Sequence, residues 1–322
     1  MAKLKSIVGC EITTNEIRAA EVAKIDSKYS VVAMGSIPLE EGIVEEGFIR
    51  DADQFNKAIT ELFAKANFQN KDVAIAVNNE NVLMRYASFP KVDDDKLRNM
   101  VLLQAQEFIP IPIQEMEVDY VIAGESVDEE EIPQVNVMLV AARKQMLEGY
   151  INIFTASKLQ VVDIDSSLLA YCRAINEIHS EEKYALVNLT DDVLNFIVVK
   201  GDEISMVRSI TVPEKYYKAV DSVFKNIQDE DSEENYSQVL SFLTSETSST
   251  ISYYQMQSNE PLDKIFFIMN AGASERLIND LQENLYLTIE RPGVYPEFQI
   301  DSITDMCEYA SCISVAISKL EG

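Results

Sequence analysis

Hydrophobic and polar positions divide the chain into two halves with the same order of elements. Each half opens with three apolar, strand-like runs joined by short turns, and a further strand follows after helical spacing. In the first half the strand-like runs are residues 5–12, 17–25, 29–39 and 72–77. In the second half they are residues 184–189, 193–199, 204–212 and 264–269. This repetition predicts an α/β protein built from two similar halves.

A different pattern fills the segment between the halves. A strand at residues 82–89 is followed by three acidic residues at 93–95, which suit the amino terminus of a helix. The apolar positions that then share one helical face are Leu97, Met100, Val101, Ala105 and Phe108. Pro110 and Pro112 end the helix and lead into a strand at residues 117–122. The segment therefore predicts a small strand–helix–strand subdomain.

Two more amphipathic stretches predict helices that pack against the halves. The apolar positions of the first, long helix are Tyr236, Leu240, Leu243, Thr247, Ile251 and Tyr254. Those of the C-terminal helix are Met306, Tyr309, Ala310, Ile313, Ile317 and Leu320. The C-terminal helix has Lys319 as its only basic residue, so we expect it to pack in the core and not to anchor the protein on a membrane.

The charge balance narrows the classes of partner. The 322 residues include 54 acidic and 27 basic side chains, which gives a net charge of −27. Nucleic acids and anionic lipids bind to positively charged surfaces, so the composition argues against both as partners of the general surface. Part of the acidic surplus lies in residues 125–131 and 228–234, and such runs are typical of solvated loops.

Apolar runs, cysteines and histidine restrict the function further. No apolar run approaches the roughly 18–20 residues that span a bilayer, and the first residues do not form a signal peptide, so we expect a cytoplasmic protein without a membrane span. Four cysteines without CxxC spacing predict buried, reduced thiols. A single histidine, His179, argues against a histidine-based catalytic triad or metal cluster, and we expect it to be exposed.

Several blocks in a fixed order carry a family resemblance. The helix of the intermediate segment ends in Glu-Phe-Ile-Pro-Ile-Pro at residues 107–112, and the other blocks are residues 37–51, 137–145, 159–174 and 310–320. In this order they resemble the PilM family, the actin-like cytoplasmic proteins of type IV pilus machines. The resemblance implies an actin-like (ribonuclease-H-like) duplicated two-lobe fold, with a β/α subdomain inserted in the first lobe.

The resemblance also implies four domains. The first lobe would comprise residues 1–81, 158–182 and 303–322, and the inserted small subdomain would comprise residues 82–157. The second lobe would comprise residues 183–215 and 258–302, with a helical small subdomain at residues 216–257.

Actin-like proteins bind ATP through two turns and a glycine pair, and all three places differ here. The residues at these places are Glu11, Thr13, Thr14, Asn15, Asn188, Thr190 and Gly272. Family members usually have aspartate at position 11 and glycine at position 13, because a phosphate must approach the main chain closely. Asp191 and Asp192 place two further carboxylates at the second turn. The sequence therefore predicts either no cofactor or weak binding of ATP with Mg²⁺ at a degenerate site.

The resemblance implies a scaffold that binds the N-terminal cytoplasmic tail of a PilN-like inner-membrane protein. In the family this tail is a short apolar motif beside a basic residue, and the resemblance implies a binding groove between the first lobe and the inserted subdomain. The residues that we expect to contact the tail are Met84, Arg85, Phe108, Ile111 and Arg143. The apolar members of this set are equally consistent with a subdomain core.

The resemblance also implies further partners, and the sequence leaves two alternative functions open. Further partners implied by the resemblance are the pilus motor ATPases and other copies of the chain, in a homo-oligomer or ring. The protein would be non-enzymatic and would lie beside the inner membrane through its partner. One alternative is a slow ATPase in which ATP regulates tail binding. A second is the actin-like cytoplasmic domain of a type II secretion protein.

Overall fold

The computed structural model describes residues 5–25, 28–224, 231–269, 275–295 and 306–321. The strands are β1 Ser6–Ile12, β2 Glu16–Ile25, β3 Lys28–Pro38, β4 Val44–Glu45, β5 Phe48–Ile49, β6 Asp72–Val77, β7 Val82–Pro90, β8 Met116–Val127, β9 Pro133–Arg143, β10 Gln160–Ser166, β11 Lys183–Leu189, β12 Val193–Lys200, β13 Glu203–Thr211, β14 Lys264–Met269 and β15 Thr288–Glu290. The helices are α1 Ala52–Lys65, α2 Asp94–Phe108, α3 Lys144–Ala156, α4 Ser167–His179, α5 Tyr217–Phe224, α6 Ser232–Ser258, α7 Glu275–Leu285 and α8 Ala310–Glu321. Short 3₁₀ turns lie at Ile113–Glu115, Glu214–Tyr216 and Met306–Tyr309.

The chain forms two compact units, each assembled from separate segments. The first unit comprises residues 1–82, 143–178 and 293–322, and the second comprises residues 83–142 and 179–292. The predicted insert, residues 82–157, is divided by this boundary, because α3 belongs to the first unit. The four-part division inferred from the sequence remains a prediction.

A five-stranded sheet in the order β10-β6-β1-β2-β3 forms the centre of the first unit. Strands β1, β2 and β3 are antiparallel neighbours, whereas β6 and β10 run parallel to β1. Helix α8 packs on β1, β2 and β6, and α3 packs on α1, β5 and β10. The C-terminal helix is therefore part of the first unit's core, as its apolar face predicts.

Helix α1 shows how local sequence determines an element of this unit. The carboxylate of Asp51 accepts a hydrogen bond from the backbone N–H of Gln54 at 2.9 Å, which caps the helix. Its buried side chains recur at helical spacing and are Phe55, Ile59, Leu62 and Phe63. The capping hydrogen bonds lower the pKa of Asp51.

The second unit contains a sheet with the same plan. Its order is β13-β12-β11-β14-β15, with β11 to β13 antiparallel and β14 and β15 parallel to β11. Helix α6 packs against α5 and α7, and its buried residues include Tyr236, Leu243 and Ile251. The matched strand orders confirm the duplicated halves that the sequence predicts.

A smaller sheet in the order β7-β9-β8 also belongs to the second unit, and α2 covers one of its faces. We call β7, β8, β9 and α2 the α2 layer. Leu97, Val101 and Ala105 of α2 are almost fully buried against residues of these strands, which confirms the predicted inward face of the helix. The layer therefore has an apolar core of its own.

The structure corrects the expectation for His179. Its side chain is 16% exposed, and its ring centroid lies 4.7 Å from that of Phe266. The His179 Nδ1 atom lies 2.6 Å from Glu182 Oε1, which also places the ring in a polar contact. Local sequence carries no signal for this packing, because Phe266 lies far along the chain on β14.

Candidate functional site

The turn between β1 and β2 is closed by the side chain of Thr13. Its backbone N–H donates to the carbonyl oxygen of Glu16 at 3.0 Å, and its hydroxyl accepts from the backbone N–H of Glu16 at 3.1 Å. The same hydroxyl lies 3.2 Å from the Glu16 carbonyl oxygen, to which it can donate. Thr14 and Asn15 form the partly buried tip of the turn.

Glu11, at the end of β1, is buried within the first unit. Its side chain is 5% exposed, and the Tyr171 hydroxyl donates to Oε2 at 3.1 Å. Strand register places Arg18 directly opposite Glu11, with 3.7 Å between Arg18 Nη1 and Glu11 Oε2. The carboxylate is thus held by an internal cation and an internal hydroxyl.

Arg18 also binds groups other than Glu11. Its Nε and Nη2 atoms donate to Glu16 Oε1 at 2.8 and 2.5 Å, and Nη1 donates to the carbonyl oxygen of Glu308 at 2.9 Å. Burial disfavours the charged guanidinium, but the carboxylates of Glu16 and Glu11 outweigh this effect and raise the Arg18 pKa. Burial raises the pKa of Tyr171, and the Glu11 charge raises it further. The cluster therefore consists of one cation, two carboxylates and a neutral phenol.

The turn between β11 and β12 repeats the closure seen at the first turn. The Thr190 N–H donates to the carbonyl oxygen of Val193 at 2.9 Å, and the Thr190 hydroxyl accepts from the Val193 N–H at 3.1 Å. That hydroxyl also lies 2.8 Å from Asp192 Oδ1, to which it can donate. Asn188 occupies the place that Glu11 has in the first half, is 1% exposed, and donates to the Ile268 carbonyl oxygen at 3.4 Å.

These two turns do not fit ATP with Mg²⁺. At each turn a threonine hydroxyl already accepts a hydrogen bond from the backbone N–H that follows the tip. The carboxylate of Glu11 already lies beside the guanidinium of Arg18. Gly272, the third predicted place, lies outside the described residues.

The residues predicted to contact a peptide lie on the elements of the α2 layer, except Ile111, which directly follows α2 and packs against the layer's core. Met84 is buried at 2% exposure, whereas Arg85 is partly buried and donates through Nη1 to the Met84 carbonyl oxygen at 2.8 Å. Phe108 packs on Phe89 with 5.9 Å between ring centroids, and Ile111 packs at the edge of the layer's core. Met84 thus contributes to packing, whereas Arg85, Phe108 and Ile111 also retain exposed surface.

The fifth residue, Arg143, is the last residue of β9, where the chain passes into the first unit, and its Nε atom donates to Asn81 Oδ1 at 3.0 Å. Met84 and Arg85 thus lie on β7, Arg143 ends β9, Phe108 ends α2 and Ile111 follows α2. The peptide-binding roles of all five stay predictions.

Sequence reasoning missed the partners of Glu11. The register of the first hairpin carried a usable signal, because a short turn at residues 13–15 places residue 18 opposite residue 11. The contributions of Tyr171 and of the Glu308 carbonyl carried no such signal, since both come from distant parts of the chain. Within the described ranges, none of the helices combines the length and the apolar character needed to cross a bilayer.

Comparison with known proteins relates these features to a family. The family model for the type IV pilus assembly protein PilM matches residues 9–212. A solved structure described as a PilM–PilN type IV pilus biogenesis complex is similar with a TM-score of 0.82 and 20% identity, covering 99% of this chain and 100% of that one. The ethanolamine utilization protein EutJ from Carboxydothermus hydrogenoformans is similar with a TM-score of 0.56 and 11% identity, covering 98% of this chain and 90% of that one.

The family match includes the first hairpin, the α2 layer and the first three strands of the second half. The similar structures agree with the duplicated five-stranded sheets in giving the chain an actin-like α/β fold. The chain belongs to the PilM family of type IV pilus assembly proteins.

Proposed function

We propose that this protein is a cytoplasmic scaffold of type IV pilus assembly that binds the N-terminal tail of a PilN-like inner-membrane protein. The observation that carries the proposal is the similarity over 99% of the chain to a PilM structure described as a complex with PilN. The α2 layer is included in that similarity and has its own core. Through its partner, the protein would lie beside the inner membrane.

The α2 layer offers the chemistry that a short apolar and basic tail requires. Phe108 and Ile111 present part of their apolar surface, and Leu103 on α2 is 83% exposed. The layer also carries the acidic run at residues 125–131, which would attract a basic residue of the tail. Apolar anchors would provide most of the affinity, and the acidic surface would favour basic tails.

Binding of a short tail orders a flexible chain, which costs about 1–2 kcal/mol per residue. We therefore expect a dissociation constant on the order of micromolar, which corresponds to a binding free energy of about −8 kcal/mol. Links to the pilus motor ATPases and assembly into a homo-oligomer or ring are further parts of the proposal, and they rest on the family alone.

The test is calorimetric titration of the full chain with a synthetic peptide of a PilN-like tail. Ile111→Ala and Arg85→Ala should each weaken binding about tenfold, the size expected of an anchor worth about 1.4 kcal/mol. The matched controls are Ile151→Ala, at an exposed position of α3, and Arg98→Ala, at an exposed position of α2. Both controls should bind the peptide as the original chain does.

Two results would contradict the proposal. The first is an unchanged affinity of both test variants while thermal melting shows that they are folded. The second is peptide binding that requires ATP with Mg²⁺, which would favour the slow ATPase as the function.

A further inference from the structure

We infer that the first hairpin carries its own internal anion: the carboxylates of Glu16 and Glu11 bind Arg18 as a phosphate group would, and they exclude a Mg²⁺-nucleotide from this turn. Guanidinium groups bind carboxylates and phosphates with the same planar fork of N–H donors. Arg18 directs this fork at Glu16, through Nε at 2.8 Å and Nη2 at 2.5 Å. Its remaining nitrogen, Nη1, donates to the Glu308 carbonyl oxygen and lies near Glu11.

Burial makes this arrangement costly to open. The side chains of Arg18 and Glu11 are 3% and 5% exposed, and that of Glu16 is 22% exposed. Removing one partner of a buried ion pair leaves the other charge without compensation. A phosphate that bound the Nε and Nη2 side of Arg18 would have to displace Glu16, so the chain itself already fills the anion-binding side of this guanidinium.

The local charge points the same way. Two carboxyl groups, those of Glu11 and Glu16, lie beside the single guanidinium of Arg18, and burial raises the pKa of the neighbouring Tyr171 phenol. Phosphate groups placed here would add negative charge beside two carboxylates in a region with little water to screen them. The Thr13 hydroxyl already binds the Glu16 N–H, which removes a backbone donor from the turn.

Arg18 also binds the segment that leads into the C-terminal helix. Arg18 links β2 to the 3₁₀ turn Met306–Tyr309, which leads directly into α8. The cluster therefore connects the first hairpin with the turn that precedes α8, within the first unit. This connection holds the hairpin without a nucleotide, and the inference does not depend on tail binding.

The experiment compares the full chain with Glu16→Gln, using thermal melting and calorimetry with ATP–Mg²⁺ and with pyrophosphate. The original chain should show no shift in melting temperature at millimolar concentrations of either ligand. Glu16→Gln should melt at a lower temperature and gain an upward shift of several degrees with pyrophosphate, because the Arg18 fork is released. The control is Glu61→Gln, which breaks an exposed Glu61–Lys65 pair at 2.6 Å and should gain no ligand response.

Each outcome decides the inference. A melting temperature of the original chain that rises by several degrees with ATP–Mg²⁺ would overturn it, and this measurement does not require any variant to fold. A folded Glu16→Gln protein that responds to pyrophosphate no more than Glu61→Gln would overturn it as well. If Glu16→Gln fails to fold, Glu16→Ser replaces it and must show the same gain of pyrophosphate binding.

Discussion

At the scale of single residues, the contact between β1 and α8 leaves no room for a side chain at Gly9. A Cβ atom placed there would overlap with the backbone carbonyl oxygen of Cys312. Because the obstacle is backbone and not a flexible side chain, α8 would have to move away from the sheet. Gly149 in α3 is the opposite case, since a Cβ there would meet no atom within 4 Å.

These two glycines give a matched pair of substitutions. We expect Gly9→Ala to lower the free energy of unfolding by several kcal/mol, because overlap with backbone costs at least as much as overpacking of a core. Gly149→Ala should raise it by about 0.5–1 kcal/mol, since alanine loses less conformational freedom in a helix. Chemical denaturation measures both changes. Two changes of the same sign would contradict the packing of α8 on β1.

At the same scale, the sequence identifies unusual residues but not the groups that they contact. The unusual residues Glu11 and Thr13 were recognisable, because they differ from the family's pattern. Their roles were not recognisable, because they depend on partners that only the fold supplies. Thr13 closes its own turn within three residues, whereas Glu11 needs Tyr171, which is 160 positions away along the chain.

At the scale of elements, helices and strands follow the sequence closely. The apolar face of α2 is a local pattern with a period near 3.6 residues, so it predicts the buried residues without knowledge of the fold. The unit that an element joins does not follow from its local sequence. Helix α3 follows β9 with no intervening loop, yet it packs on α1, β5 and β10 of the first unit. Long-range contacts determine such assignments, and hydrophobic periodicity does not encode them.

The face of α2 can be tested with one buried and one exposed position. Val101 is fully buried and Leu103 is 83% exposed. Val101→Asp should lower the melting temperature sharply, because it places a carboxylate without a partner in an apolar core. Leu103→Asp is the control and should change stability by no more than about 0.5 kcal/mol. Thermal melting followed by circular dichroism measures both, and an unchanged melting temperature for Val101→Asp would show that the face is wrong.

At the scale of the whole molecule, two kinds of electrostatic energy oppose each other. A net charge of −27 at pH 7 produces general repulsion, which salt screens. Specific pairs act in the other direction, for example Glu182 with Lys264 and Glu233 with Arg276. Hydrogen bonds to these bases lower the pKa of Glu182 and of Glu233. A lowered carboxylate pKa stabilises the fold above the unfolded-state pKa, and this stabilisation is lost as the pH falls through the folded-state value.

The balance predicts that the effect of salt changes sign with pH. At pH 7, raising NaCl from about 0.01 to about 0.15 M shortens the Debye length from about 30 to about 8 Å, so repulsion weakens and the melting temperature should rise. Near the sequence pI of 4.3 the net charge vanishes, whereas the Glu182–Lys264 and Glu233–Arg276 pairs resist protonation because their carboxylates have lowered pKa values. Salt then screens mainly attractive pairs, so the same addition should leave the melting temperature unchanged or lower it. Differential scanning calorimetry at both pH values provides the measurement, with dilute protein to avoid association near the pI. A melting temperature that falls with salt at pH 7 would mean that the specific pairs outweigh the general repulsion, contrary to this account.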